Sequence, residues 1–194
     1  TMRHAEKALE AGVDGLMVTC SGAGGHTGFL TPFAFVPAVR RIYDGLLIVA
    51  GGIADAAGMV GALALGGDIA CMGTRFIATP ESGVVDGHRA MIAQAGIDRI
   101  VTSSAMNGVP ANWIRDSLEA VGLDPAQIAG GKMPMPEGVR AWRDTFSAGQ
   151  SVGLIEQVEP VAELVARLTR EFAALAPHST WRDRLAAIET QWSK

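Results

Sequence analysis

The first place in this sequence where chemistry is possible is a histidine set among glycines. Cys20-Ser21-Gly22-Ala23-Gly24-Gly25-His26-Thr27-Gly28 follows the apolar run Gly15-Leu16-Met17-Val18-Thr19, which reads as a short buried strand. The glycines free the backbone to approach a ligand closely or to take φ > 0. His26 carries the one side chain whose ordinary pKa lies near neutrality. A strand that opens into a Gly-rich loop with one titratable group is a common way for α/β enzymes to present chemistry at a strand's C-terminal end. Taken alone, the stretch is more simply a turn whose His faces solvent.

Two further turns change that balance. Leu46-Leu47-Ile48-Val49-Ala50 is a continuous apolar run, as for a strand buried on both faces, and it leads into Gly51-Gly52. Asp68-Ile69-Ala70-Cys71-Met72 leads into Gly73-Thr74. Backbone N–H groups unobstructed by side chains can ring a phosphate, and a following helix N-terminus adds a favourable dipole. Each pair by itself is a tight turn. Two pairs on adjacent strands, with the His26 loop beside them, favour a phosphate-bearing cofactor.

The elements that position these turns alternate. Residues 1–12 read as a helix already under way and closed by Gly12, as if the chain began inside a larger protein. Thr31-Pro32 is an N-cap with proline at the first helical position. Phe33, Val36, Val39 and Ile42 follow at helical spacing, and a small-residue helix runs from Ala56 to Leu65. Residues 13–76 therefore read as three parallel βα units with their turns on one face. Residues 83–155 carry several prolines and shorter helical patches, Gly87 to Ala95 and Ala111 to Val121, with a loop at 130–136. They read as a mostly helical excursion or cap, set between the βα units of 1–82 and the closing helices of 156–194. Val161, Leu164, Val165, Leu168 and Phe172 form one helical stripe, and Trp181, Leu185, Ile188 and Trp192 another.

Composition removes several classes. With 194 residues, 48% of them hydrophobic and 6% aromatic, the chain can bury an aliphatic core. A net charge of −4 without a basic run gives no footprint for nucleic acid. No apolar run is long enough to span a membrane. Cys20 and Cys71 end apolar runs, as for buried thiols in a reducing cytoplasm. No Cys/His spacing resembles a zinc site, and His4, His88 and His178 read as solvent-facing.

Ala23-Gly24-Gly25-His26-Thr27-Gly28, Ala50-Gly51-Gly52-Ile53 and Met72-Gly73-Thr74-Arg75-Phe76 resemble, in order and spacing, the signature of the nitronate monooxygenases, also called 2-nitropropane dioxygenases. Residues 142–152, with Ala148-Gly149-Gln150, are similar to the same family. The resemblance implies an FMN-binding TIM-type (β/α)8 barrel, of which this chain supplies about the last three βα units. It implies that His26 is the active-site base or substrate-orienting group, that Gly51, Gly52, Gly73 and Thr74 hold the FMN phosphate, and that Ala23, Gly24 and Gly25 run beside the cofactor. Gln150 also approaches the flavin in this reading. The implied reaction is oxidation of alkyl nitronates or nitroalkanes by O2 to a carbonyl compound and nitrite. The missing N-terminal barrel half is expected from the rest of the same protein or from another chain. Thr19-Cys20-Ser21-Gly22 departs from the family, many of whose members carry Gln or Glu upstream of the Ala-Gly-Gly-His. That departure keeps an alternative open: an NAD(P)H-dependent flavin reductase acting on a quinone, an enoyl thioester or a CoA-linked substrate. A non-catalytic half that only binds a partner chain is a third reading.

Overall fold

The glycine turns owe their common face to a parallel sheet. In the computed structural model, which describes residues 1–106, 108–128 and 136–175, the order is α1 (Met2–Glu10), β1 (Gly15–Thr19), β2 (Gly25–His26), α2 (Pro32–Arg40), β3 (Leu46–Ala50), α3 (Ala56–Ala64), β4 (Ile69–Cys71) and α4 (Thr74–Ile77). There follow α5 (Asp86–Gln94), β5 (Ile100–Ser103), β6 (Ala111–Ile114), α6 (Arg115–Glu119), α7 (Pro125–Ile128) and α8 (Val161–Leu175). Most of the expected loop at 130–136, the expected stripe of Trp181, Leu185, Ile188 and Trp192, and His178 lie outside the described residues.

Strands β1, β3 and β4 pair in that order, both pairs parallel, with Gly15 opposite Leu46 and Ile48 opposite Ile69. Leu16, Val18, Leu47 and Val49 point to a core shared with Phe35, Val36 and Val39 of α2. The opposite face is open: Met17 is 57% exposed and Leu46 43%. The apolar run of β3 predicts burial on both faces, whereas this chain covers one, because among the described residues no second layer lies against the other. Within α2, Phe35 takes the buried place that the spacing gives to Phe33, which is 79% exposed, and Ile42 lies beyond the helix.

The end of the sheet opposite the glycine turns is closed by charge. Asp68 accepts from the Leu47 amide and from Arg40, both at 2.8 Å, and Arg40 also donates to the carbonyls of Gly66 and Gly45. These bonds hold the Asp68 carboxyl below its ordinary range, the Leu47 amide contributing most.

The excursion contains more strand than its sequence advertises. Ala111–Ile114 is a strand where the spacing predicts helix, and the helix begins at Arg115. Strand β6 pairs antiparallel with both β5 and the two-residue β2, giving a second sheet in the order β2-β6-β5. All four of its residues are buried, so local periodicity had no polar face to register.

Helix α8 packs on α3, burying Leu164 and Leu168 while Val165 stays 46% exposed. Beneath it lies an ion cluster. Arg75, 2% exposed, pairs with Glu159, 6% exposed, which also pairs with Arg167; Arg167 in turn meets Glu171 at 3.1 Å. Removing one member of a buried pair strands its partner's charge, at a cost of about 3–5 kcal/mol. Glu159→Gln is therefore expected to lower unfolding stability by about 3 kcal/mol. The check is the shift in denaturant midpoint; a shift within error would place Arg75 in contact with other acceptors.

Candidate functional site

The cavity forms where the three strands end. It has a volume of about 250 Å³ and is lined by Gly22, Ala23, Gly24 and His26 after β1, by Gly51 and Gly52 after β3, and by Cys71, Gly73 and Thr74 at the end of β4. Of the site residues expected from sequence, His26, Ala23, Gly24, Gly51, Gly52, Gly73 and Thr74 are thus brought to one wall. Gly25 pairs with Asn112 in the short strand, and Gln150 lies against Gly22; neither lines the cavity.

The loops are fixed to one another through backbone. Gly149 N–H donates to Thr74 Oγ1 at 2.8 Å, and Gln150 N–H donates to the Gly22 carbonyl at 2.9 Å. A Cβ on Gly24 would lie 2.7 Å from Gly149 N, closer than packing permits. The Ala148-Gly149-Gln150 motif therefore acts as a crosslink, with Gly149 as its contact. Gly51 has φ +123°, and a Cβ there would lie 2.9 Å from the Cys20 carbonyl. That position is open to glycine alone.

Two further residues hold the His26 loop. Asn112, 1% exposed, donates from Nδ2 to the Ala23 carbonyl at 2.7 Å and accepts from Thr102 at 2.5 Å. Thr27 N–H donates to the Pro110 carbonyl at 3.0 Å. Sequence reasoning missed Asn112, because a lone Asn in an apolar run carries no spacing signal. It also missed Ser147 and Ser151, which line the cavity.

His26 is exposed, and besides the glycine-lined cavity it borders a second hollow of about 360 Å³ against α1 and β1. The Trp142 ring meets the imidazole edge-on, centroids 5.5 Å apart at 74°. Cys20, fully buried behind the loop, has its thiol pushed up to about 11 by burial, which leaves it un-ionised and poorly nucleophilic.

The cavity suits a phosphate-bearing group. Gly52 and Gly73 border it, and a Cβ built on either meets no protein atom within 4 Å, so the space beside each is open. No Lys or Arg is among its lining residues, which leaves recognition to backbone N–H dipoles and the Thr74 hydroxyl. Helix α3 contributes less than the sequence implies, because Asp55 already accepts from the Gly58 amide of its first turn at 2.7 Å. Among the described residues, no group of three or more His, Cys, Asp or Glu could hold a metal ion, and no helix is long and apolar enough to cross a membrane.

Comparison with known proteins follows this geometry. The sequence model described as nitronate monooxygenase matches residues 1–171. A nitronate monooxygenase of Paraburkholderia phytofirmans is 31% identical over 191 residues, covering 88% of this chain and 52% of that protein. The solved nitroalkane oxidase of Streptomyces ansochromogenes superposes with a TM-score of 0.77 at 25% identity, covering 93% of this chain and 57% of that one. FabK of Thermotoga maritima superposes at 0.72 with 32% identity, covering 90% and 59%. The fold is thus the C-terminal portion of a TIM-type (β/α)8 barrel. The chain spans about half the length of the curated relatives that match most of it.

His88, expected from the sequence to face solvent, is instead buried. His88 stacks on Phe146, centroids 4.7 Å apart, and its Nε2 lies 2.9 Å from the carbonyl of Ser147, which lines the cavity. Burial holds its pKa below the ordinary value, against the opposing effect of the Ser147 bond. The folded protein therefore binds this proton less readily than the unfolded chain, and stability falls as pH drops below about 6.5. The denaturant midpoint is expected to decline between pH 7.5 and 5.5, with a smaller decline in His88→Gln. Equal declines in the two proteins would assign the acid sensitivity to other groups.

Proposed function

The chain belongs to the nitronate monooxygenase family, and from that premise we propose that it forms the C-terminal βα units of a flavin enzyme, loaded with FMN, that oxidises alkyl nitronates and nitroalkanes. O2 is the second substrate, and a carbonyl compound and nitrite are the products. The observation that carries this reading is the convergence of three glycine turns and His26 on one cavity at the C-terminal ends of three parallel strands. The likeness to a nitroalkane oxidase of known structure supports it.

When bound, FMN would supply the redox chemistry that links the nitronate to O2. The amides of Gly51, Gly52 and Gly73 and the Thr74 hydroxyl would hold its phosphate, with Ala23 and Gly24 beside it and Gly25 set back in the short strand. Thr74 Oγ1 already accepts from Gly149, so its proton is directed away from that bond. A ring nitrogen of His26 accepts the proton from the carbon bearing the nitro group; with a substrate that is already a nitronate, the imidazole orients its oxygens. The uncovered face and the outer edges of β1 and β4 are where further βα units complete the barrel, since open parallel edges invite pairing.

The test is oxygen uptake and nitrite release by the flavin-loaded enzyme. Uptake is expected with an alkyl nitronate and without NADH. A general base contributes about 10²–10⁴-fold, so His26→Ala is expected to lose at least about 10²-fold in kcat/KM on a neutral nitroalkane and less on the preformed nitronate. NADH consumption without any response to nitronate would instead establish the reductase. Gly73→Val probes the phosphate site. It has room to fold, and flavin affinity is expected to fall at least tenfold, about 1.4 kcal/mol, with the melting temperature kept; unchanged affinity would move the phosphate elsewhere.

A further inference from the structure

Trp142 has φ +62° and is the one non-glycine among the described residues in the left-handed region. Glycine adopts that backbone freely, whereas a side chain is strained in it. Residues held in such conformations cluster where the surrounding structure has a use for them. The turn that imposes it is braced. Asp144 accepts from the Arg140 amide at 2.8 Å, Asp144 N–H returns a bond to the Arg140 carbonyl, and the Arg143 guanidinium spans Asp144 and the Gly138 carbonyl.

The turn presents the indole to the site. Trp142 remains 44% exposed, which argues against core filling as its purpose. One neighbour is Trp113, fully buried in β6, with centroids 4.9 Å apart. The other is the His26 imidazole, at 5.5 Å and 74°. Edge-to-face contacts of this kind have a preferred angle. Strand β6 therefore references His26 twice: through the backbone, where Ala111 pairs with His26, and through the side chains Trp113 and Trp142 in series. The two-residue strand holds the His26 main chain, and the Trp142 indole forms an aromatic wall against its ring, which limits the rotamers that the ring can take.

We propose that Trp142 is a positioning residue for His26, holding the imidazole in the orientation from which it meets substrate. The inference rests on the assignment of His26 as the active-site base. Its position was not visible in the sequence, where residue 142 lies 116 positions beyond His26 in a stretch without a regular period.

The test compares Trp142→Gly and Trp142→Phe with the wild type in the flavin-loaded enzyme. Glycine suits the φ of this position, so Trp142→Gly is expected to fold with an unchanged or higher melting temperature. Its kcat on a neutral nitroalkane is expected to fall about tenfold with little change in KM, and Trp142→Phe is expected to recover most of that loss. The second readout needs no turnover. The imidazole C–H resonances of His26, assigned with His26→Gln, are expected to shift in Trp142→Gly as the indole ring current is lost, and less in Trp142→Phe. Unmoved resonances, or moved resonances with kcat intact, would overturn the proposal. If the wild type does not oxidise nitronates, the functional reading fails on its own, and the resonances alone then decide whether Trp142 orients His26.

Discussion

Two backbones meet at Gly24 and Gly149 with no room for a side chain between them, and the cavity depends on that contact. From it, Gly149 N–H reaches Thr74 after β4 while Gln150 N–H reaches Gly22 after β1. The excursion thereby ties together the loops of the two outer strands of a three-stranded sheet, across the loop of the middle one. Close-packed interiors tolerate few displacements larger than a methyl group, so the spacing of the three glycine turns is set by main-chain geometry. The His26 loop needs a second anchor on its other side, and Asn112 supplies it through the Ala23 carbonyl. Backbone groups do the positioning, which leaves side chains such as His26 and Ser147 facing the cavity.

Much of this was legible along the chain, because its signals are local. An apolar run followed by a glycine-bearing turn declares a strand end, and three such events in 64 residues declare parallel βα units. Ordered together, the turns also identified the wall on which His26, Gly52 and Gly73 sit. What was not legible depends on partners distant in sequence. Strand β2 is two residues long and has no period to detect, while β6 is buried on every residue and imitates a helix segment. Phe35 displaces Phe33 from the core because α2 is rotated by its fit to the sheet, which spacing alone does not report. Gln150 carries its motif's polar side chain, but the motif's crosslinks run through the main-chain N–H groups of Gly149 and Gln150.

The ion pairs lie outside the cavity wall. Arg40 and Asp68 close the bottom of the sheet, and Arg75, Glu159, Arg167 and Glu171 join α4 to α8. The cavity itself has no lysine or arginine on its wall. A ligand's negative charge would then be met by amide dipoles that are already oriented and need no reorganisation, a different device from a flexible cation.

The Asn112 to Ala23 bond joins residues 89 apart in sequence and the Gly149 to Thr74 bond residues 75 apart, whereas β1, β3 and β4 pair with near neighbours. Closing a long loop costs more entropy than closing a short one, so these contacts are expected to form after those of the sheet. The parallel sheet with α2 and α3 can assemble from local contacts, and the glycine turns become a cavity when the excursion docks. By the same ordering, the excursion is the unit expected to open first in the native state, ahead of the sheet. Amides of residues 22–24 and 149–150 would then exchange with solvent together and faster than those of β3. The site would then be less permanent than the sheet that carries it.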